Sequence, residues 1–421
     1  MPLAVARVHE SSNPAGCDLL AAMTGVESPS LRQVAPAVYG PSLLFAVGQG
    51  AVYPIVALSA RELGASVGTA SLVVAVLGIG QVLGNLPAGW LAHRVGERRA
   101  MVLSTVVTVP ALGLCVVAPN VWVLSLAVLM TGLASSVWGL ARHSYLTDVA
   151  PAHLRARALS TLGGVHRIGM FVGPFLGALA TAPLGTDGAY GLYLVMALLA
   201  VGLLLSLPEP PGAARGAGES SSAVSLPSMV RSHARVLATL GVACLLVQAV
   251  RQARLSVLPL WAEAIGLSVA ETSLVFGIAG AVDMLLFYPA GSAMDRFGRV
   301  WVAVPSLLVL AIGHALLPLT SSFWMLTLVA LVMGVGNGMG SGLVMTLGSD
   351  ASPAVGRPVF LGAWRLVANL GAAGGPLVVS LVAAVAPLAA ASLAVAGLGV
   401  LGAAALGRWT PPHQSPSSHP R

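Results

Sequence analysis

The sequence predicts an all-α membrane protein of twelve transmembrane helices, arranged as two pseudo-symmetric six-helix bundles with both termini in the cytoplasm. Three observations predict it. Of 421 residues, 57% are hydrophobic and only 8% charged, whereas a soluble globular chain carries about 25% charged residues. Apolar stretches of about 20 residues, the length that crosses a bilayer as a helix, follow one another along the chain. Polar residues also recur at one fixed offset of 202.

Residues 1–35 hold Glu10, Asp18, Glu27 and several Ser and Pro. They lack the basic-then-apolar layout of a cleaved leader, so they are expected to be a cytoplasmic segment before a retained first span. The twelve predicted spans are 36–60, 70–92, 100–119, 121–145, 158–182, 189–207, 236–260, 272–293, 300–319, 322–347, 359–385 and 387–406. In lipid each must satisfy its backbone internally, which selects helix. The stretch 208–228 is rich in Pro, Gly and Ser and predicts a flexible linker. The expected domains are therefore 1–35, a first bundle 36–207, a cytoplasmic linker 208–235, a second bundle 236–408 and a cytoplasmic tail 409–421.

All 21 basic residues are arginine. Alternate turns carry Arg94, Arg98 and Arg99, then Arg155 and Arg157, Arg215, Arg231 and Arg235, Arg296 and Arg299, and Arg357. The opposite loops hold Arg61 but mostly acids: Glu62, Asp187, Glu263 and Glu271. The positive-inside rule puts the arginine-rich end in the cytoplasm. The arginines are dispersed between apolar runs, which argues against nucleic acid as partner. The cysteines, Cys17, Cys115 and Cys244, have no metal-ligand spacing. No cofactor or metal is expected.

The repeat is specific in its polar members. Gly64, Ser66, Pro87, Arg94, Gly96, Trp122, Asp148, Pro151 and Arg155 recur as Gly266, Ser268, Pro289, Arg296, Gly298, Trp324, Asp350, Pro353 and Arg357. A parallel repeat of six spans is the internal symmetry of a rocking transporter with its site between the halves. The turn after the second span reads Gly89-Trp90-Leu91-Ala92-His93-Arg94-Val95-Gly96-Glu97-Arg98. Its second copy reads Gly291-Ser292-Ala293-Met294-Asp295-Arg296-Phe297-Gly298-Arg299. With these motifs the chain resembles the major facilitator superfamily over all twelve spans.

Span five carries Gly169, Gly173, Pro174 and Gly177 in a G-x-x-x-G-P-x-x-G pattern, similar to the signature of drug/proton antiporters, the twelve-helix exporter branch. Glycines four apart let helices approach closely, and proline removes a helical hydrogen bond, so these positions are candidate hinges. The resemblance implies gating roles for Gly89, His93, Arg94, Gly96, Arg98, Asp148, Arg155, Gly291, Asp295, Arg296, Gly298, Asp350 and Arg357. Two departures stand out. His93 replaces the family aspartate, which weakens an attraction to a helix N-terminus and predicts an asymmetric gate. Span four also lacks the exporters' arginine before Gly132.

A charge at mid-bilayer costs about 2.5–3.5 kcal/mol, so each intramembrane charge needs a reason. Asp283, about twelve residues into span eight, is the only carboxylate deep in a span and the candidate proton-coupling residue. Its alternative is a static ion pair holding spans seven and eight together. Candidate substrate-binding residues are Arg251, Arg254, Arg167, His166, Arg365, Gln49, Gln81, Gln248, Gln252 and Asn369. Arg167 and Arg365 read as related positions one helical turn apart. Arginines outnumber deep carboxylates, so some guanidinium groups are expected to be free for a carboxylate or phosphate on a substrate.

With no lysine there is no G-x-x-x-x-G-K-[ST] phosphate loop, and no H-E-x-x-H occurs. An enzyme is not expected. The sequence predicts a secondary active transporter exporting a small organic compound in exchange for protons, with uptake on the same fold as the alternative. Its expected setting is the lipid bilayer of the plasma membrane, as a monomer.

Overall fold

The structure, a computed structural model, describes residues 31–150, 154–206, 226–353 and 355–410. The predicted segment 1–30, the linker core 207–225, Pro151 and the tail from 411 lie outside the described residues, as does the Asp148 side chain.

The described chain is helical throughout. Its helices are α1 (Leu31–Val52), α2 (Val56–Glu62), α3 (Val67–Val95), α4 (Glu97–Val116), α5 (Val121–Val149), α6 (Arg155–Leu184), α7 (Thr186–Ser206) and α8 (Leu226–Ser232). There follow α9 (Val242–Ala264), α10 (Val269–Phe297), α11 (Val300–Leu316), α12 (Phe323–Met339), α13 (Leu343–Ala351), α14 (Arg357–Ala383) and α15 (Leu388–Trp409). Eleven spans are long and apolar enough to cross a membrane, and the bent pair α1–α2, at 43°, makes a twelfth.

Local chemistry sets the ends. Ser66 and Ser268 each cap the helix that follows, the latter in a reciprocal capping box with Glu271. Asn120 and Ser322 cap α5 and α12 in the same way. Gly96 and Gly298 sit at φ 86° and 98° in the tight turns after α3 and α10, a region that only glycine enters freely.

Three features depart from the sequence reading. The first span bends at Tyr53–Ile55, beside Pro54. Span ten is broken at Gly340–Gly342, where Gly342 takes φ 81°. Both breaks lie inside continuous apolar runs, so hydropathy alone does not show them. Leu226–Ser232, expected as flexible linker, is helical, with Met229 buried in the core that includes Phe360 and Trp364.

Buried side chains fall mainly into two large clusters. One draws on residues 45–204 plus Leu260, the other on residues 229–406. Close contacts repeat between them at +202. A Cβ on Gly173 of α6 would meet the Val47 carbonyl and Ala51 N of α1; one on Gly375 of α14 would meet the Ala249 carbonyl and Ala253 N of α9. Gly169 meets Leu43 O as Gly371 meets Leu245 O. Two seams join the clusters, and they match as well. Gly78 on α3 abuts Ala373 on α14, while Gly280 on α10 faces Phe171 on α6. The two termini of this correspondence meet in one pair: Arg61 Nε donates to both Glu263 carboxylate oxygens at 3.0 Å, across exactly one repeat in sequence. That pair closes the acid-rich end of the molecule.

Candidate functional site

Between the clusters lies a cavity of about 470 Å³. Its polar lining is Gln81, Asn85 and Ser136 on one side and Gln248, Arg251, Arg365 and Asn369 on the other, with His143. Leu140, Val344, Met345 and Trp364 supply its apolar wall. Asn85, His143, Met345 and Arg365 are exposed and lie toward the arginine-rich end. At the opposite end the helices touch: Gly68 lies against Ser380 and Ala384, Gly277 against the Phe175 ring, and Arg61 grips Glu263. The cavity therefore opens toward the arginine-rich end.

Beside the cavity runs a polar network on four helices. Asp283 (α10) lies 3.8 Å from Arg167 Nη1 (α6). Their side chains are 19% and 26% exposed, and the Arg167 guanidinium covers the Phe287 ring at 3.9 Å. Asn337 Nδ2 (α12) donates to Asp283 Oδ2 at 2.5 Å. Arg251 Nε (α9) donates to Asn337 Oδ1 at 2.7 Å. Ser341, in the break of span ten, accepts from Arg167 at 3.2 Å and donates to Asn337 O at 3.1 Å. The break also presents the Gly340 carbonyl to Arg251 Nη1 at 3.2 Å. Thus Asp283 is paired across the clusters with span five, and the sequence expectation of a pair between spans seven and eight is corrected. Arg251 reaches Asp283 only through Asn337.

The other predicted residues separate. Gln81, Gln248, Arg251, Arg365 and Asn369 line the cavity. Gln49 instead donates to Ser135 at 3.1 Å and lines a separate small void with Tyr190 and Tyr193. Gln252 borders a third small void beside Tyr53 and Gln81. His166 lies 3.3 Å from Arg142. Arg142, only 8% exposed, is buried against it. Arg254 lies outside the cavity lining, with a buried Nε that has no partner among the described residues. His314 is fully buried, with Nε2 3.3 Å from the Val250 carbonyl.

Arg167 and Arg365 are not related positions: at +202 Arg167 falls on Asn369, and Arg365 falls on Gly163. The useful correspondence is another. Gln49, Ser135 and Gln81 fall on Arg251, Asn337 and Asp283. The Gln49–Ser135 bond is the neutral counterpart of the Arg251–Asn337 bond. Sequence reasoning missed His143 and the hydrogen bond from Asn337 to Asp283.

At the arginine-rich turns, Arg299 donates to Asp350 at 3.0 Å and Asp295 at 3.3 Å. Arg357 donates to Ser349 at 2.6 Å. Arg94 and Arg296 lie over Trp90 and Phe297, each at 5.2 Å. Arg98 donates to the Leu204 carbonyl. His93, Gly89 and Arg155 are exposed, and Gly291 is half-exposed. Gly169, Gly173, Pro174 and Gly177 sit inside the unbroken α6, at its crossing with α1.

Comparison with known proteins places this geometry. The model of the Major Facilitator Superfamily matches residues 42–282 and 240–421. The tetracycline resistance protein, class C, of Escherichia coli is 24% identical over 362 residues, 82% of this chain and 88% of that protein. The galactose-proton symporter of Escherichia coli (strain K12) is 26% identical over 170 residues, 40% of this chain. That match spans only 36% of the symporter. Among solved structures, the nucleoside transporter NupG superposes with a TM-score of 0.73 at 17% identity, covering 88% of this chain and 97% of that one. The D-xylose-proton symporter does so with a TM-score of 0.70 at 17% identity, covering 91% and 98%. The helical spans, the cavity between them and the family match together make the chain a multi-pass membrane transporter of small molecules, not an enzyme, and it belongs to the Major Facilitator Superfamily.

Proposed function

We propose that this transporter exports a small organic compound in exchange for protons. Bundles 36–207 and 236–408, joined by the linker 208–235, rock about the cavity as a monomer in the plasma membrane, with the arginine-rich end in the cytoplasm. The contacts that recur at +202 support two like bundles, and parallel repeats of this kind move largely as rigid bodies.

The observation that carries proton coupling is the tie of Asp283 to Arg167 across the seam between α6 and α10. Protonation of Asp283 removes the ion pair and loosens one seam. The matching seam, with Gln81 on α3 and Asn369 on α14, holds no charge pair to lose. A proton therefore acts on one side of the molecule only. The full-length similarity to the tetracycline resistance protein favours export. The shorter similarity to a proton symporter favours the second reading, proton-coupled uptake on the same fold.

Everted membrane vesicles test the direction. Acidifying the lumen should drive compound into vesicles that contain the protein, and collapsing the gradient should stop it. Accumulation that ignores the gradient would contradict coupling. Loss of growth on a nutrient after deletion, with no new sensitivity to any compound, would favour uptake.

A further inference from the structure

Arg365 is the one guanidinium on the cavity wall without a committed partner. Arg251 spends its donors on Asn337 and on the carbonyls of Asn337 and Gly340. Arg167 is held by Asp283, Ser341 and the Phe287 ring. Arg365 is exposed on the cavity wall and makes no hydrogen bond or ion pair among the described residues. Among the described residues no carboxylate lines the cavity: its ionisable groups are Arg251, Arg365 and His143. Asp283, which could have balanced them, is turned into the network beside it. Arg365 stands on α14 and His143 on α5, within electrostatic reach of each other. They therefore come from opposite clusters. The ring of His143 is steadied by Nδ1, which donates to the Gly139 carbonyl at 2.7 Å; a carbonyl can only accept, so the hydrogen lies on Nδ1.

We propose that the cavity takes an amphiphilic organic carboxylate, its carboxylate bound by Arg365 and its apolar part against Leu140, Met345 and Trp364. This deepens the transport reading above and rests on it. A planar guanidinium with free donors matches a carboxylate bidentately, and the field of a cavity lined only by basic groups repels cations. The site also links cargo to closure. When the open end shuts, the wall that carries His143 approaches the one that carries Arg365 and encloses the anion held there. The amides of Gln81, Asn85, Gln248 and Asn369 leave room for further polar groups on the cargo.

The test is equilibrium binding to purified full-length protein in nanodiscs. The probes are two matched sets: 4-phenylbutyrate, 4-phenylbutyramide and 4-phenylbutylamine, and octanoate, octanamide and octylamine. At least one acid should bind about tenfold or more tighter than its amide, the strength of a charge-assisted pair, with its amine weakest. Arg365→Gln should remove that preference, and Arg365→Lys should keep part of it. Because Arg365 has no partner to lose, Arg365→Gln should melt at the wild-type temperature. An amine that binds as well as its acid, acids that fail to bind, or a preference that survives Arg365→Gln would overturn the proposal. Vesicle flux separates the two readings. Gradient-driven movement of an amine sinks the carboxylate site and leaves proton exchange standing. Acid binding lost in Arg365→Gln, with no gradient-driven flux, does the reverse.

Discussion

Asp283→Asn should abolish gradient-driven accumulation while leaving exchange of substrate between equal pools. The asparagine keeps a hydrogen-bonding partner for Asn337 but has no proton to carry and no charge for Arg167. Arg167, 26% exposed, keeps Ser341 and the Phe287 ring, so only a small fall in melting temperature should accompany the loss of coupling. Asp283→Glu should restore part of the coupled flux. Flux and exchange measured on one preparation, with melting curves, check the outcome. Gradient-driven accumulation that persists in Asp283→Asn would reduce the carboxylate to a structural tie.

The second large effect falls on the crossing of α1 and α6. Gly173→Val should remove most of the folded protein. Its first side-chain carbon would enter the backbone of α1, against Val47 O, Ala51 N and Gly50 Cα. Backbone atoms on a packed helix cannot turn aside, so the penalty reaches at least the top of the overpacking range, about 3 kcal/mol. Gly375→Val should fail in the same way, because Ala249 and Ala253 stand where Val47 and Ala51 do. Gly164→Val, on the same helix as Gly173, meets nothing within 4 Å and should express and elute as wild type. Size-exclusion profiles of fluorescent fusions distinguish the three.

That crossing also shows how far the sequence can be read. The G-x-x-x-G-P run at Gly169–Pro174 is visible because its spacing matches a known signature. Its second copy at Gly371, Gly375 and Pro376 is just as visible once the offset of 202 is applied to it. Helix number and the alternation of arginine-rich turns follow from solvent physics, since lipid tolerates few charges and no bare backbone. The partners of the midplane charges do not follow. Asp283 is tied by Asn337 on span ten and Arg167 on span five, and only tertiary packing brings them together. The break at Gly340–Gly342 is equally hidden, although it supplies the Gly340 carbonyl that occupies Arg251. With that donor set filled, the guanidinium that remains free is Arg365. One of the ten candidates in the sequence is therefore the proposed point of anion contact, and His143, which no motif marks, stands opposite it.

The central claim is that the two ends of the molecule open in alternation as Asp283 gains and loses its proton. Spin labels test it directly in a chain whose native cysteines are replaced by alanine. One pair, at Ser160 and Gly362, spans the open, arginine-rich end; the other, at Leu63 and Ala264, flanks the Arg61–Glu263 closure. The present conformation holds the Asp283–Arg167 pair intact with the Arg61–Glu263 end shut. Asp283→Asn, which carries the neutral side chain at all times, should therefore shorten the first distance and lengthen the second in the same fraction of molecules. Asp283→Glu, which keeps the charge, should show the wild-type distances. Distances that stay fixed, or one end that moves without the other, would contradict alternation driven by this carboxylate.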